Sequence, residues 1–200
     1  LSAQTDAEKY EKVLTERAEK IVNTLELKDK DASGRVVTAL VAQYKGLGTV
    51  NDNLAASKKK AKQEIKDKAL IEKEIKNLEN ETEAELFKLQ CTFLGNLAVD
   101  LTNDQIEKVK DGMTYGVVKV TYDSYTDMIP SLKPEEKRQI YAWLVEAREH
   151  ATTASSSKDK HGWFGKYKGR INNYLSKQGY DTQKERQAWE ERLKAKGVKL

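Results

Sequence analysis

Between Gly48 and Gly95 the chain runs for 46 residues without a glycine or a proline. Those two residue types are the strongest local breakers of regular structure, and in their absence the stretch reads as helix. As one rod it would reach about 69 Å at roughly 1.5 Å per residue. Its second half carries a clear apolar stripe at Ile71, Ile75, Leu78, Leu86, Leu89, Phe93 and Leu97. The first half thins to Leu54, Ala61 and Ile65 among lysines and glutamates. A strand has a period of two and cannot use this spacing. The expectation is a long charged helix whose first half projects, or a hairpin made with the helix before it. Composition points the same way, with 34% charged and 38% hydrophobic residues and only 2 prolines. Such a balance favours solvated helices over a sandwich or barrel.

The remaining segments step by three and four as well. Tyr10, Val13, Leu14, Ala18, Ile21, Val22 and Leu25 form the stripe of a first helix. A second starts near Ala32 or Ser33, turns Val36, Leu40, Val41 and Tyr44 inward, and is interrupted or kinked by Gly46 and Gly48. Thr102 and Gln105 make a capping box, in which each side chain satisfies the other's free backbone amide. The helix it opens carries Ile106, Val109, Met113, Val117 and Val120 on one face, and Tyr115, Val118, Tyr122 and Tyr125 on a second. Pro134 sits in a first helical turn, followed by Ile140, Tyr141, Trp143, Leu144 and Ala147. A further helix spans about Lys158 to Ser176, and Thr182-x-x-Glu185 starts the last. The fold class is all-α: a multi-helix bundle read as one domain over 1–200, with 33–97 as the long hairpin or projecting helix and 98–200 as a compact helical body.

Charge excludes little. The 36 basic and 32 acidic residues leave +4, and acids follow the Lys58–Lys62 run at once, so a solvated helix face is expected rather than a nucleic-acid stripe. No run approaches the ~20 apolar residues of a membrane span. Cys91 is alone, and its apolar neighbours Leu89, Phe93 and Leu94 suggest a buried, inert thiol. Leu1-Ser2-Ala3-Gln4 resembles the remnant of a signal-peptide cleavage site, which implies a periplasmic or secreted protein.

The stretch from His161 to Tyr174 differs from the rest. Trp163, Tyr167, Arg170 and Tyr174 align on one helical face, while Gly162, Gly165 and Gly169 leave another side bare for close approach of a backbone or ligand. Aromatic faces around a guanidinium allow stacking and cation–π contact. Two readings follow: close helix packing over an aromatic stripe, or a site for a sugar or anionic small molecule. In the second, Trp163, Tyr167 and Tyr174 offer flat apolar surfaces, and Lys166, Arg170 and Asn172 hold hydroxyls or a carboxylate. His161 begins the stretch, and Tyr115, Tyr122 and Tyr125 extend the surface. Glu146 and His150 share a helix face but are too few for a metal, so an i,i+4 surface pair is expected. No catalytic motif, metal set or cofactor fingerprint is recognised.

Leu101-Thr102-Asn103-Asp104-Gln105 resembles the LTxxQ motif of periplasmic helical stress proteins; Leu132-Lys133-Pro134-Glu135-Glu136 departs from it at Lys133 and Glu136. The 161–174 stretch, together with Lys108-Val109-Lys110-Asp111-Gly112-Met113-Thr114-Tyr115-Gly116-Val117-Val118, resembles a family of exported Bacteroidetes proteins classed as a domain of unknown function. That resemblance runs from about Leu25 to Lys196. It implies secretion and a setting beside glycan-degradation genes, and it carries no catalytic residues. The reading is therefore a binding or accessory protein, with a chaperone-like stress protein as alternative and a hydrolase or lyase as a second. Glycan, anionic small molecule, or self-association through the long helix are the partners expected.

Overall fold

The computed structural model describes residues 2–200, so Leu1, the first residue of the export reading, lies outside them. The protein is all-α, with eight helices and no strand among the described residues. Two compact units form, one running to Val109 and taking in 153–155, the other holding 110–152 and 156–200.

In the first unit, α1 (Asp6–Asn23) begins where the Glu8 amide donates to Thr5 Oγ1, and it buries Leu14, Ala18, Ile21 and Val22. Tyr10 and Val13 do not join them, being 50% and 49% exposed. Tyr10 lies with its hydroxyl beside Gly48 and its ring half open. Helix α2 (Lys30–Glu64) is capped by Asp29, whose carboxylate accepts from the amides of Asp31 and Ala32. It continues unbroken through Gly46 and Gly48, contrary to the expected kink. A side chain at Gly46 would stand 3.2 Å from Leu89 Cδ2, so the glycine lets Leu89 seat against α2.

The long segment is two helices rather than one. Ile65 leaves helical backbone, and α3 (Lys68–Asp100) restarts with Asp67 accepting from the Leu70 amide. A carboxylate at the N-cap does here what a glycine or proline does elsewhere. The two helices run antiparallel, shown by Arg35 to Asp100 at 2.7 Å, Gln43 to Gln90 at 3.2 Å and Lys58 to Glu79 at 2.7 Å. Cys91 is exposed, not buried. Phe93 and Leu97 point inward, and two residues turn the helix by about 200°, which carries Cys91 to the outer side. Its apolar neighbours in sequence are not its neighbours in space.

The Thr102 capping box forms as read: the Thr102 amide donates to Gln105 Oε1 at 2.9 Å and the Gln105 amide to Thr102 Oγ1 at 3.2 Å. Helix α4 (Asn103–Met113) then stops, where one continuous helix was expected. Tyr115 (φ 59°) and Gly116 (φ 66°) are both left-handed, and the Gly116 amide donates back to the Asp111 carbonyl at 2.9 Å. This is a helix C-terminus closed by left-handed residues. The break changes the faces that follow, so Val120 is 65% exposed while Val118 and Tyr125 are buried.

The core of the second unit gathers α5 (Val117–Met128), α6 (Pro134–Thr152) and α7 (Ser157–Lys177) around Ile129, Ile140, Leu144, Ala147, Phe164, Ile171 and Leu175. Helix α6 has half a capping box: Glu136 Oε1 accepts from the Lys133 amide at 2.8 Å, and Lys133 has no side-chain oxygen to reciprocate. Glu136 is only 2% exposed, and the Tyr180 hydroxyl donates to the same oxygen. Burial pushes the Glu136 carboxyl up, but these two donors outweigh it and hold it below the usual carboxylate value. Helix α8 (Thr182–Ala195) is capped by Asp181 rather than Thr182, and it buries none of its residues.

Two outcomes are expected. Gly116→Ala forces a side chain into left-handed backbone and lowers stability by about 1 kcal/mol, whereas Gly165→Ala, in open helical space, raises it by about 0.5–1 kcal/mol; guanidinium melts measure both. The Tyr180 phenol is pushed up to about 12 by its bond to Glu136, and that of Tyr125 to about 12 by burial. Unfolded tyrosines ionise near ~10. Their contribution is thus complete below about pH 10 and disappears as pH rises towards about 12. Melting temperature against pH should fall across that window, and less steeply in Tyr180→Phe, which starts lower because Glu136 loses a donor.

Candidate functional site

The structure distributes the nine candidate residues over four places in the second unit. Five of them, Trp163, Lys166, Tyr167, Arg170 and Tyr174, lie along α7 where it packs on α6. Tyr167 belongs to the core at 4% exposure, with its ring facing inward. Arg170 lies over that ring, its guanidinium carbon 4.5 Å from the centroid, and 6.0 Å from the ring of Trp143. Arg170 Nη1 also donates to Glu146 Oε2 at 3.1 Å. Lys166 Nζ stands 5.2 Å from the Trp163 ring.

Helix α6 supplies the other half, which the sequence left unassigned. Trp143 meets Tyr174 edge to face at 5.3 Å, and His150 stacks on Trp163 at 4.3 Å with the planes 12° apart. Trp143, Glu146 and His150 follow one another at steps of three and four, so one face of α6 meets the row on α7. Glu146 and His150, expected to pair along their own helix, each have a partner on α7. The signal available in sequence was that spacing itself, which places all three on a single face.

The result is a ledge with an aromatic floor and a charged edge. The side chains of Arg170 and Glu146 remain 44% and 53% exposed, while Trp143, Trp163 and Tyr174 are half-buried. Burial and then the Glu146 carboxylate raise the Tyr167 phenol above its ordinary value, so it stays neutral beneath Arg170. Chemically the ledge offers apolar ring surface, a planar donor and an acceptor, all fixed by two packed helices. Nothing crowds the glycines of α7: a side chain at Gly162, Gly165 or Gly169 would meet open space. The bare side expected to admit another backbone therefore faces outward.

The other four candidates are elsewhere. Tyr115 stacks on His161 at 5.2 Å, half exposed and in left-handed backbone. Tyr122 meets Tyr141 edge to face at 5.6 Å beside Lys137 and Arg138. Asn172 turns away from the ledge and accepts a 2.8 Å bond from the buried Tyr125 hydroxyl. No group of three metal-ligating side chains occurs among the described residues, and no helix is long and apolar enough to cross a membrane.

Residues 11–195 match the family described as "Protein of unknown function (DUF3826)", and the chain belongs to that family. No curated protein matches it.

The ledge makes opposite demands on two neighbours. Arg170→Ala removes an exposed ion pair and a cation–π contact, and costs about 1 kcal/mol. Tyr167→Ala empties a core position and costs about 3–5 kcal/mol. Thermal melts by circular dichroism separate them, and an unfolded Arg170→Ala would mean the ledge is core.

Proposed function

We propose that this member of the family is an exported binding or accessory protein of glycan utilisation in Bacteroidetes, acting in the periplasm or after secretion, and that the α6–α7 ledge holds the sugar. One observation carries the reading: Trp143, Trp163 and Tyr174 present half-open ring surface beside Arg170 and Glu146, which are partly exposed and already oriented by one another. Sugar rings have apolar faces that stack on aromatics and hydroxyls that bond outward to charged groups. A site whose polar edge is fixed before the ligand arrives loses little entropy in binding it. His150 and Lys166, set against Trp163, would line the same edge.

A second reading has its own support. On α3, Leu70, Phe87 and Val99 are 56%, 70% and 80% exposed. Apolar side chains open to solvent on a charged helix suit a holdase for unfolded clients, as in the periplasmic stress proteins.

A glycan array followed by calorimetry on the hits separates the two. The ledge reading expects binding that Arg170→Ala weakens at least tenfold with the fold intact. Absence of any glycan, together with suppression of client aggregation that Phe87→Ser abolishes, would replace it with the second.

A further inference from the structure

Where α8 crosses α5 and α7 it leaves a polar cleft, and nothing in the ledge reading uses it. Met128 forms an apolar patch in its wall, and Asn172, Gln183, Arg186, Gln187 and Glu190 are among its polar lining. Asn172 and Arg170 are two residues apart, about 200° round the helix, so the cleft and the ledge occupy different faces of α7. Part of its polar lining is left over by the fold. Asn172 Oδ1 is held by the Tyr125 hydroxyl, which directs the amide nitrogen as a donor. Arg186 and Glu190, four apart on α8, line the same cleft, and the ion pairs of the described residues include neither of them.

Helix α8 itself is lightly attached. None of its residues is fully buried; Trp189 packs half-buried against the core, and polar bonds fasten the helix to the end of α5: Trp189 Nε1 donates to Asp127 Oδ2 at 2.6 Å, and Arg192 to the carbonyls of Asp127 and Met128 at 2.9 and 3.3 Å.

We propose that this cleft binds a sugar acid, a small polyhydroxylated carboxylate. Arg186 receives the carboxylate, because its planar fork matches two carboxylate oxygens. Glu190 accepts from hydroxyls, Asn172 donates from its amide nitrogen, and the amides of Gln183 and Gln187 can both donate and accept. Sulfate or phosphate lacks the donors that Glu190 requires. An amino-acid zwitterion would satisfy the two charges but leave the three amides without counterparts. A ring bearing one carboxylate and several hydroxyls engages all of them. The assignment stands apart from the ledge and does not depend on it.

The experiment is calorimetric titration of the full chain with galacturonate and glucuronate, with galactose, glycine and sulfate alongside, joined to hydrogen exchange on 182–195. The expected result is saturable binding of at least one uronate, weakened at least tenfold by Arg186→Gln, with slower exchange along α8 in the bound state. Arg186→Lys, which keeps the charge but not the fork, should recover only part of the affinity. Equal binding of galactose would overturn the carboxylate role, and glycine or sulfate binding as well as a uronate would overturn the ligand class. Failure of both uronates to bind, or binding indifferent to Arg186→Gln, would remove the site. If ledge variants abolish glycan binding while no uronate binding responds to Arg186→Gln, the ledge stands and only the cleft is lost.

Discussion

One seam between two helices governs the second unit. On α6, Ile140, Leu144, Ala147 and Ala151 have no exposure at all, and they share a core with Phe164, Tyr167, Ile171 and Leu175 of α7. Each large apolar side chain so enclosed contributes about 1.5–3 kcal/mol relative to solvent. The period that buries this stripe also decides what stands at its margins. Trp143, Glu146 and His150 fall at one edge of the α6 stripe, and Arg170 beside Ile171 at one edge of that of α7. The ledge thus borders the packed strip on one side, while Asn172, on the other side of Ile171, faces the cleft beneath α8.

Charge is used inside this unit as well as on its surface. Lys160, 4% exposed, donates from Nζ to the Ala151 carbonyl at 3.0 Å near the end of α6. Cations are favoured at that end by the helix dipole. Arg148, 3% exposed, bonds Asp111 at 2.8 Å. Glu136 sits near the start of α6 under Tyr180 and the Lys133 amide. Enclosed charges add little net stability over well-packed apolar groups, but losing one partner is severe. They fix where α6 begins and ends, and so the register of everything along it.

Helicity was legible because an apolar period of three to four residues survives in every long segment. Breaks were less so. Gly46 and Gly48 do not stop α2, since a long helix packed along α3 outweighs about 1 kcal/mol per glycine. Asp67 does start a new helix, through a carboxylate at the N-cap whose sequence signal was present and unread. Tyr115 is left-handed although it is not a glycine, and spacing alone could not reveal it. The α7 half of the ledge was visible as a row of rings and cations. The α6 half was not, because partners 13 to 31 residues apart are chosen by the register of two helices, which the seam sets. Cys91 failed for a related reason: neighbours along a helix are seldom neighbours around it.

The open glycines of α7 bear on how the protein assembles. Gly162, Gly165 and Gly169 add no contacts of their own, yet each makes the isolated helix less favourable by about 1 kcal/mol. Alone in water, this segment would spend most of its time as coil, since short helices are marginal even without glycine. Its order is borrowed from α6 through Phe164, Tyr167, Ile171 and Leu175. The helix therefore exists only once it has docked, so structure and docking of α7 arise in the same cooperative event. The ledge comes into being at that moment, which leaves no partly folded form of this segment displaying a finished ledge.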